Sequence, residues 1–313
     1  MNAPHRLAVL VDSCLLPSVG CPGGPLPEWI LRGLERGTPG VAVPAEGAAA
    51  RRTADALRTA APDALAAHPG PPSAPDGSAP NGSAAAAELV SAGANLHLGV
   101  RPGPAADATR AFVADLQTHG VAAALGPFTG VGSLEPFAEG AAAGVRAITV
   151  GHTAPGRDGL PAALSRSAVG GTLRGELGYG GVVMSDALDA PAIVEEWGVP
   201  GAAVLAWIAG VDLVRLGPGS GPGVRDAIHA AAARAVADGD LPVGRLEEAA
   251  ERVARLRRWA SEPRMPAGAG GSGARREGQV RREAGASRTS GASLPSQTGD
   301  APGTPHEPAT RDV

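Results

Sequence analysis

The chain has 313 residues, 43% of them hydrophobic, 19% charged and only 3% aromatic, enough apolar material for one large core. Its formal net charge is −4, and every basic residue other than histidine is Arg, so there is no basic footprint for nucleic acid or an anionic membrane. No stretch reads as long enough in apolar residues to cross a bilayer. The apolar run 7–11 is interrupted by Asp12 and preceded by a single Arg, which argues against a secretory leader or a lipid anchor at Cys21. A cytoplasmic location is the expectation. Cys14 and Cys21 have no partners at metal-ligand spacing; two free thiols are expected, with a disulfide as the other reading.

Residues 6–11 (RLAVLV) predict a first buried strand. Residues 26–36 carry apolar positions at helical spacing behind a proline and predict a short amphipathic helix. A strand at 40–43, a helix at 45–60 and a weak strand at 64–67 follow. Residues 69–83 (PGPPSAPDGSAPNGS) have a composition that cannot pack a core and read as a flexible loop. Helical character returns at 84–92, then a strand at 95–100, a helix at 107–116 and a strand at 120–125. A helix at 133–143, a strand at 145–150 and a helix at 164–177 lead to the strand 181–185. After it come a helix at 199–209, a strand at 211–216 and helices at 224–237 and 245–260. The last shows Leu246, Ala249, Val253 and Leu256 on one side. About eight strands alternating with helices over some 260 residues have the rhythm of an α/β (β/α)8 barrel of the TIM type, complete or with part of its ring missing. A doubly wound open sheet is the competing architecture. Domain 1–260 is therefore expected to be the barrel, and 261–313, poor in large aliphatic residues, a disordered tail.

The stretch 178–193 (GYGGVVMSDALDAPAI) concentrates the chemistry. A short apolar run led in by glycines and closed by Ser185 and Asp186 reads as a buried parallel strand with Asp186 at its carboxyl end. That is where α/β sheets bind ligands. Asp is also a favoured N-cap, so a structural role for Asp186 is the alternative. No metal cluster, nicotinamide fingerprint or phosphate loop is present. Residues 217–223 (GPGSGPG) follow a strand but lack the lysine of a P-loop, and no cofactor is expected.

Residues 159–193 (GLPAALSRSAVGGTLRGELGYGGVVMSDALDAPAI) resemble the barrel domain of glycoside hydrolase family 3, especially its bacterial β-N-acetylhexosaminidases. The family pattern there is a Pro-Ala-Ser-Leu-Ser segment, a helix with Leu-Arg-x-x-Leu-Gly-Phe, then Gly-Val-Val and Ser/Thr-Asp-Ala/Asp-Leu. Val150, Gly151 and His152 are similar to the family's strand-end Val-Gly-His. The resemblance extends in weaker form over most of 1–260. It implies that Asp186 is the nucleophile of a retaining glycosidase, attacking the anomeric carbon to form a glycosyl-enzyme ester. It implies sugar binding by Arg101, from the segment Val100-Arg101-Pro102-Gly103, with an ordinary surface arginine as the alternative. His152 is the third candidate, at a strand end that faces the pocket, with a structural histidine as its alternative. The implied ligand is a small saccharide containing N-acetylglucosamine.

Three family segments have no counterpart. The Asp-Glu-Glu-Gly-Gly segment is replaced by His68-Pro69-Gly70, and the Ala-Pro-Val-x-Asp-Val loop is cut out between Leu98 and Val100. The Lys-His-Phe-Pro-Gly-His-Gly segment and the Asp-Ser-His loop after it are absent from 121–132 (VAAALGPFTGVG). The last of these carries the family's general acid/base, a function worth a factor of ~10²–10⁴ in rate. Glu135 and Glu139 share a helical face, and Asp189 lies near Asp186, but none stands out as a replacement. Two readings follow: a retaining β-N-acetylhexosaminidase, or a catalytically impaired sugar-binding or interaction domain on the same scaffold.

Overall fold

In the computed structural model, residues 3–43, 46–69, 82–102, 106–152 and 158–262 are described, all within the compact unit Met1–Ala267. The loop expected at 69–83 and the tail expected at 261–313 fall mostly outside the described residues. The exceptions are Pro69 after the third strand, Gly82 and Ser83, which open a helix, and Ser261 and Glu262, at and just past the end of the last one.

Eight strands alternate with helical segments. The strands are β1 (Leu15–Leu16), β2 (Gly40–Ala42), β3 (Leu65–His68), β4 (Leu96–Val100), β5 (Ala122–Phe128), β6 (Ala147–Val150), β7 (Val182–Ser185) and β8 (Val214–Arg215). Helix α1 (Ala3–Ser13) precedes β1. Helices α2 (Glu28–Arg36), α3 (Gly47–Ala60), α4 (Gly82–Ser91), α5 (Ala106–Thr118) and α6 (Glu135–Ala142) follow β1 to β5 in turn. A π-helical segment, Ser167–Glu176, joins β6 to β7; α7 (Pro191–Ala209), α8 (Pro222–Asp238) and α9 (Val243–Ser261) complete the chain.

All strand pairs are parallel. β2 to β7 form one sheet in sequence order and β1 pairs with β8. Parallel bridges between Ser18 and Ala42 and between Met184 and Leu213 join the two groups, so the ring closes. The expected (β/α)8 architecture is present as a complete ring rather than an open sheet.

The strands are short because each needs to span only the barrel wall, and side-chain alternation separates two layers. Leu16, Ala42, Leu65, Leu96, Ala122, Ala147 and Val182, one from each of β1 to β7, and Leu213 just before β8 point inward and form the barrel interior. Val183, Val214, Ile148 and Leu125 point outward into the layer beneath the helices. Many inward positions are Ala, which keeps the interior narrow enough to fill. Val253 and Leu256 of α9 join the interior cluster and stopper the amino-terminal, or lower, end of the ring.

One expected strand is a helix. Residues 6–11 lie within α1, and the first strand is the two-residue segment Leu15–Leu16. An apolar run of that length fits either state locally; the tertiary setting decides. As a helix it turns Val11 and Asp12 inward, and Asp12 accepts hydrogen bonds from Arg225 Nε at 2.9 Å and contacts His229 Nε2 at 2.9 Å, both on α8. A strand would turn every second residue away from that contact.

Helix α7 also departs from expectation, because it is 19 residues long and apolar enough to cross a membrane by length and composition alone. It is broken at Gly198, whose φ of 64° is accessible to glycine, two residues before Pro200. Its Ile193, Ala202, Ala203, Ala206 and Trp207 are buried in the core, so here the apolar composition serves packing between sheet and outer helices.

Candidate active site at the upper rim of the barrel

Asp186 follows β7 directly, at the carboxyl-terminal, or upper, rim. Val182 and Met184 face inward, so alternation turns Asp186 inward as well. Its main chain is fixed to the neighbouring strand by donation from Asp186 N to the Val150 carbonyl at 2.9 Å. Its side chain is 32% exposed, which places the carboxylate at an open surface rather than in packing. Oδ1 accepts the Ala187 N–H at 2.8 Å and pairs with Arg215 Nη2 at 2.6 Å. Oδ2 has no protein partner among the described residues.

Arg215 closes β8 and was not singled out by the sequence reading. The available signal was parity: Leu213 points inward, so the residue two further on does too, and here it is charged. The Arg215 N–H donates to Ser185 Oγ at 3.0 Å, and its carbonyl accepts the Leu188 N–H at 3.1 Å. The backbone carrying the guanidinium is thus tied to both flanks of Asp186.

The floor of this rim is polar. Thr149 stands two residues after the inward-facing Ala147 and is paired in register with Met184. Its Oγ1 is buried without a hydrogen-bond partner, and so is Nδ1 of His152 just past β6. Unpartnered buried polar atoms cost ~1–3 kcal/mol each, which a polar ligand that pairs them would offset. His152 lies just past β6, the strand that neighbours β7. Arg101 does not join them: it is exposed just past β4, three strands round the ring, and forms no ion pair with Asp186.

The other acidic candidates take structural positions. Glu139 lies 3.6 Å from Arg110 of α5, and Glu135 sits in the first turn of α6, where the helix dipole favours an acid. The carboxylate of Asp189 packs against the backbone after β8, where a Cβ on Gly217 would overlap it. The segment between β5 and α6, residues 129–134 (TGVGSL), contains no ionisable side chain. Asp158 accepts hydrogen bonds from Ser165 Oγ at 2.6 Å and Ser167 Oγ at 3.0 Å; the Ser165 bond first of all holds its carboxyl below the usual range. That acid orders the approach to the π-helical segment.

Cys14 is a buried free thiol pushed far up by burial, and Cys21 is free and exposed on the loop after β1. No group of three or more His, Cys, Asp or Glu side chains placed to hold a metal occurs among the described residues.

The Glycosyl hydrolase family 3 N terminal domain matches residues 130–256, a stretch that holds β6 to β8, Asp186 and Arg215. No curated protein matches the chain. Among solved structures, a glycoside hydrolase family 3 β-N-acetylglucosaminidase from Paenibacillus sp. str. FPU-7 superimposes with a TM-score of 0.67 at 23% identity, over 83% of this chain and 63% of that one. The β-N-acetylhexosaminidase from Beutenbergia cavernae DSM 12333 gives 0.65 at 22% identity, over 80% of this chain and 98% of that one. A fungal multi-domain β-N-acetylglucosaminidase gives 0.67 at 18% identity over 80% of this chain, which spans only 39% of its length. At these identities the structures establish a shared fold. Residues 130–256 thus match the N-terminal domain of glycosyl hydrolase family 3, on a fold that the chain shares with these structures.

Proposed function

We propose that the protein is a retaining glycosidase acting on β-linked N-acetylglucosamine, with Asp186 as its nucleophile. The observation that carries this reading is the state of the Asp186 carboxylate: at the open rim, ion-paired on Oδ1 and, among the described residues, without a partner on Oδ2. A carboxylate so held can attack an anomeric carbon from one side while the glycosidic oxygen leaves on the other. The names of the Paenibacillus and Beutenbergia structures, β-N-acetylglucosaminidase and β-N-acetylhexosaminidase, support the choice of sugar. His152, just past β6 and with Nδ1 buried without a hydrogen-bond partner among the described residues, is the group we assign to a sugar hydroxyl.

The loop between β5 and α6 shapes the kinetics. With no ionisable side chain there, protonation of the departing oxygen is weakly assisted, and the rate should depend steeply on the leaving group. The test is release of 2,4-dinitrophenol and of p-nitrophenol from the corresponding N-acetyl-β-glucosaminides, by the wild type and by Asp186→Asn. We expect faster turnover of the dinitrophenyl substrate and background rates for the variant. Equal background release by both proteins rejects the assignment of Asp186. The same bare loop favours a second reading, a sugar-binding domain without turnover, for which calorimetric binding of N-acetylglucosamine by a protein silent on both substrates would be the evidence.

A further inference from the structure

Arg215 is the group that the upper rim adds to Asp186, and its geometry assigns it a task. Resting on the glycosidase reading above, we propose that Arg215 is the positioning residue for the nucleophile. It holds Asp186 Oδ1 so that Oδ2 is presented to the sugar, and it stabilises the carboxylate when the sugar is released.

Both partners of the pair are fixed by main-chain contacts. Asp186 N–H is held by Val150 on β6, and Arg215 is held by Ser185 Oγ and by the Leu188 N–H, one on each side of Asp186. An ordinary surface ion pair must order two loose side chains, which is why it contributes so little. Here the two Cα positions are set by the ladder between β7 and β8, and only the short Asp side chain and the end of the Arg side chain remain to be ordered. The Arg215 side chain is 22% exposed, so it is more shielded from water than a surface arginine yet still at the mouth. The Ala187 N–H takes the same oxygen, so two donors converge on Oδ1. Freezing one oxygen fixes the direction of the other, and misplacement of a reacting group by 1 Å can cost roughly 10²-fold in rate.

The chemistry has two steps. In the first, Oδ2 donates an electron pair to the anomeric carbon, the bond from that carbon to the glycosidic oxygen breaks, and the departing oxygen keeps the pair. In the second, water attacks the same carbon and gives up a proton to solvent, the ester bond to Oδ2 breaks, and the pair returns to Asp186 as a carboxylate. Arg215 keeps its protons throughout. The ester is neutral and the carboxylate anionic, so a guanidinium at Oδ1 favours the second step by electrostatic stabilisation of the expelled group. Arg215 sits on the nucleophile's side of the sugar, opposite the departing oxygen, and so does not serve as the missing acid.

The experiment compares the wild type, Arg215→Met, Arg215→Lys and Asp186→Asn on 2,4-dinitrophenyl N-acetyl-β-glucosaminide, a substrate whose departure needs no proton. Intact mass is recorded during turnover, and thermal melting verifies folding. Arg215→Met is expected to lower kcat by roughly 10²-fold. Its KM should fall as well, because the second step becomes limiting, and a glycosyl-enzyme should accumulate in the mass spectrum. Arg215→Lys, which keeps the charge, should recover part of kcat. A folded Arg215→Met protein with wild-type kcat overturns the proposal, as does a loss of kcat with no accumulated ester and no recovery in the lysine variant. If the wild type is itself no faster than Asp186→Asn, the glycosidase reading falls, and this inference with it; if the wild type is active and Arg215→Met matches it, only this inference falls.

Discussion

Each rim of the barrel sets an aspartate from the β7–β8 region against arginine, but the two arrangements serve opposite ends. At the lower rim Asp212, just before β8, is fully buried. It accepts from Arg174 Nη2 at 2.5 Å, Arg245 Nη2 at 2.6 Å, Arg252 Nη1 at 3.2 Å and the Val183 N–H at 3.0 Å. Arg174 also donates to the carbonyls of Tyr179 and Gly181, and Arg245 to those of Trp207, Gly210 and Val211. Burial there lowers the affinity of Arg174 for its proton, and Asp212 pulls it back up. Both carboxylate oxygens are spent on tying the π-helical segment, α9 and the start of β8 together. At the upper rim Asp186 has, among the described residues, one guanidinium, one N–H and an oxygen left over. A saturated buried carboxylate is a structural tie. A half-satisfied one at a surface is available for chemistry, and the cost of leaving it so is small because water reaches it.

The largest expected effect breaks that contrast directly. Asp212→Ala strands three arginines around an uncompensated site and should destabilise the fold by about 3–5 kcal/mol, whereas Asp186→Asn at the upper rim should change stability by no more than about 1 kcal/mol. Urea denaturation of both variants measures the difference; equal losses would show that the two aspartates are not built for different ends.

A pH series sharpens the comparison at an intermediate scale. His97 is buried between β4 and α5, edge-on to Phe112 at 6.4 Å, and burial depresses it from 6.5 to about 4, with the His68 carbonyl opposing and the His68 charge reinforcing. Above pH 6.5 folded and unfolded chains both carry it neutral, so it contributes no pH dependence. Below that the unfolded chain takes up a proton that the fold refuses until pH about 4, so stability should fall on acidification across this window, by on the order of 3 kcal/mol, and level off beneath it. Chemical denaturation at pH 7, 5.5 and 4 tests this, and His97→Gln should flatten the curve over the same range.

The smallest effect concerns the loop that flanks the site. Gly217→Ala would drive a methyl into the Asp189 carboxylate, shifting the turn after β8 at a cost of about 1–3 kcal/mol. If the turn moves Arg215 with it, dinitrophenyl glycoside turnover should fall alongside the melting temperature. A drop in melting temperature with unchanged kcat would show that Arg215 is held by Ser185 and Leu188 alone.

Much of the barrel was legible because its signals are local. Runs such as 145–150 and 181–185 are apolar, short and bounded by glycine, and they became β6 and β7. Asp186 was legible for the same reason, since a polar residue ending such a run marks a strand end. Residues 6–11 misled because an apolar hexamer carries no period long enough to separate helix from strand, and the deciding contact, Asp12 with Arg225, spans 213 residues. Leu15–Leu16 is too short to give any signal. Arg215 escaped because nothing in VDLVRL says that its second strand residue meets a carboxylate 29 positions earlier; that follows only once β7 and β8 lie side by side.

The amino-acid order alone thus settled the alternation of strands and helices, the identity of one acid at a strand end and the kinship of the stretch that carries it, all of which depend on neighbours a few residues apart. Ring closure, the role of α9 as a stopper, and the meeting of Asp186 with Arg215 depend on pairings between distant strands. Those pairings are fixed by how a closed parallel sheet fills its interior, which no window of sequence contains.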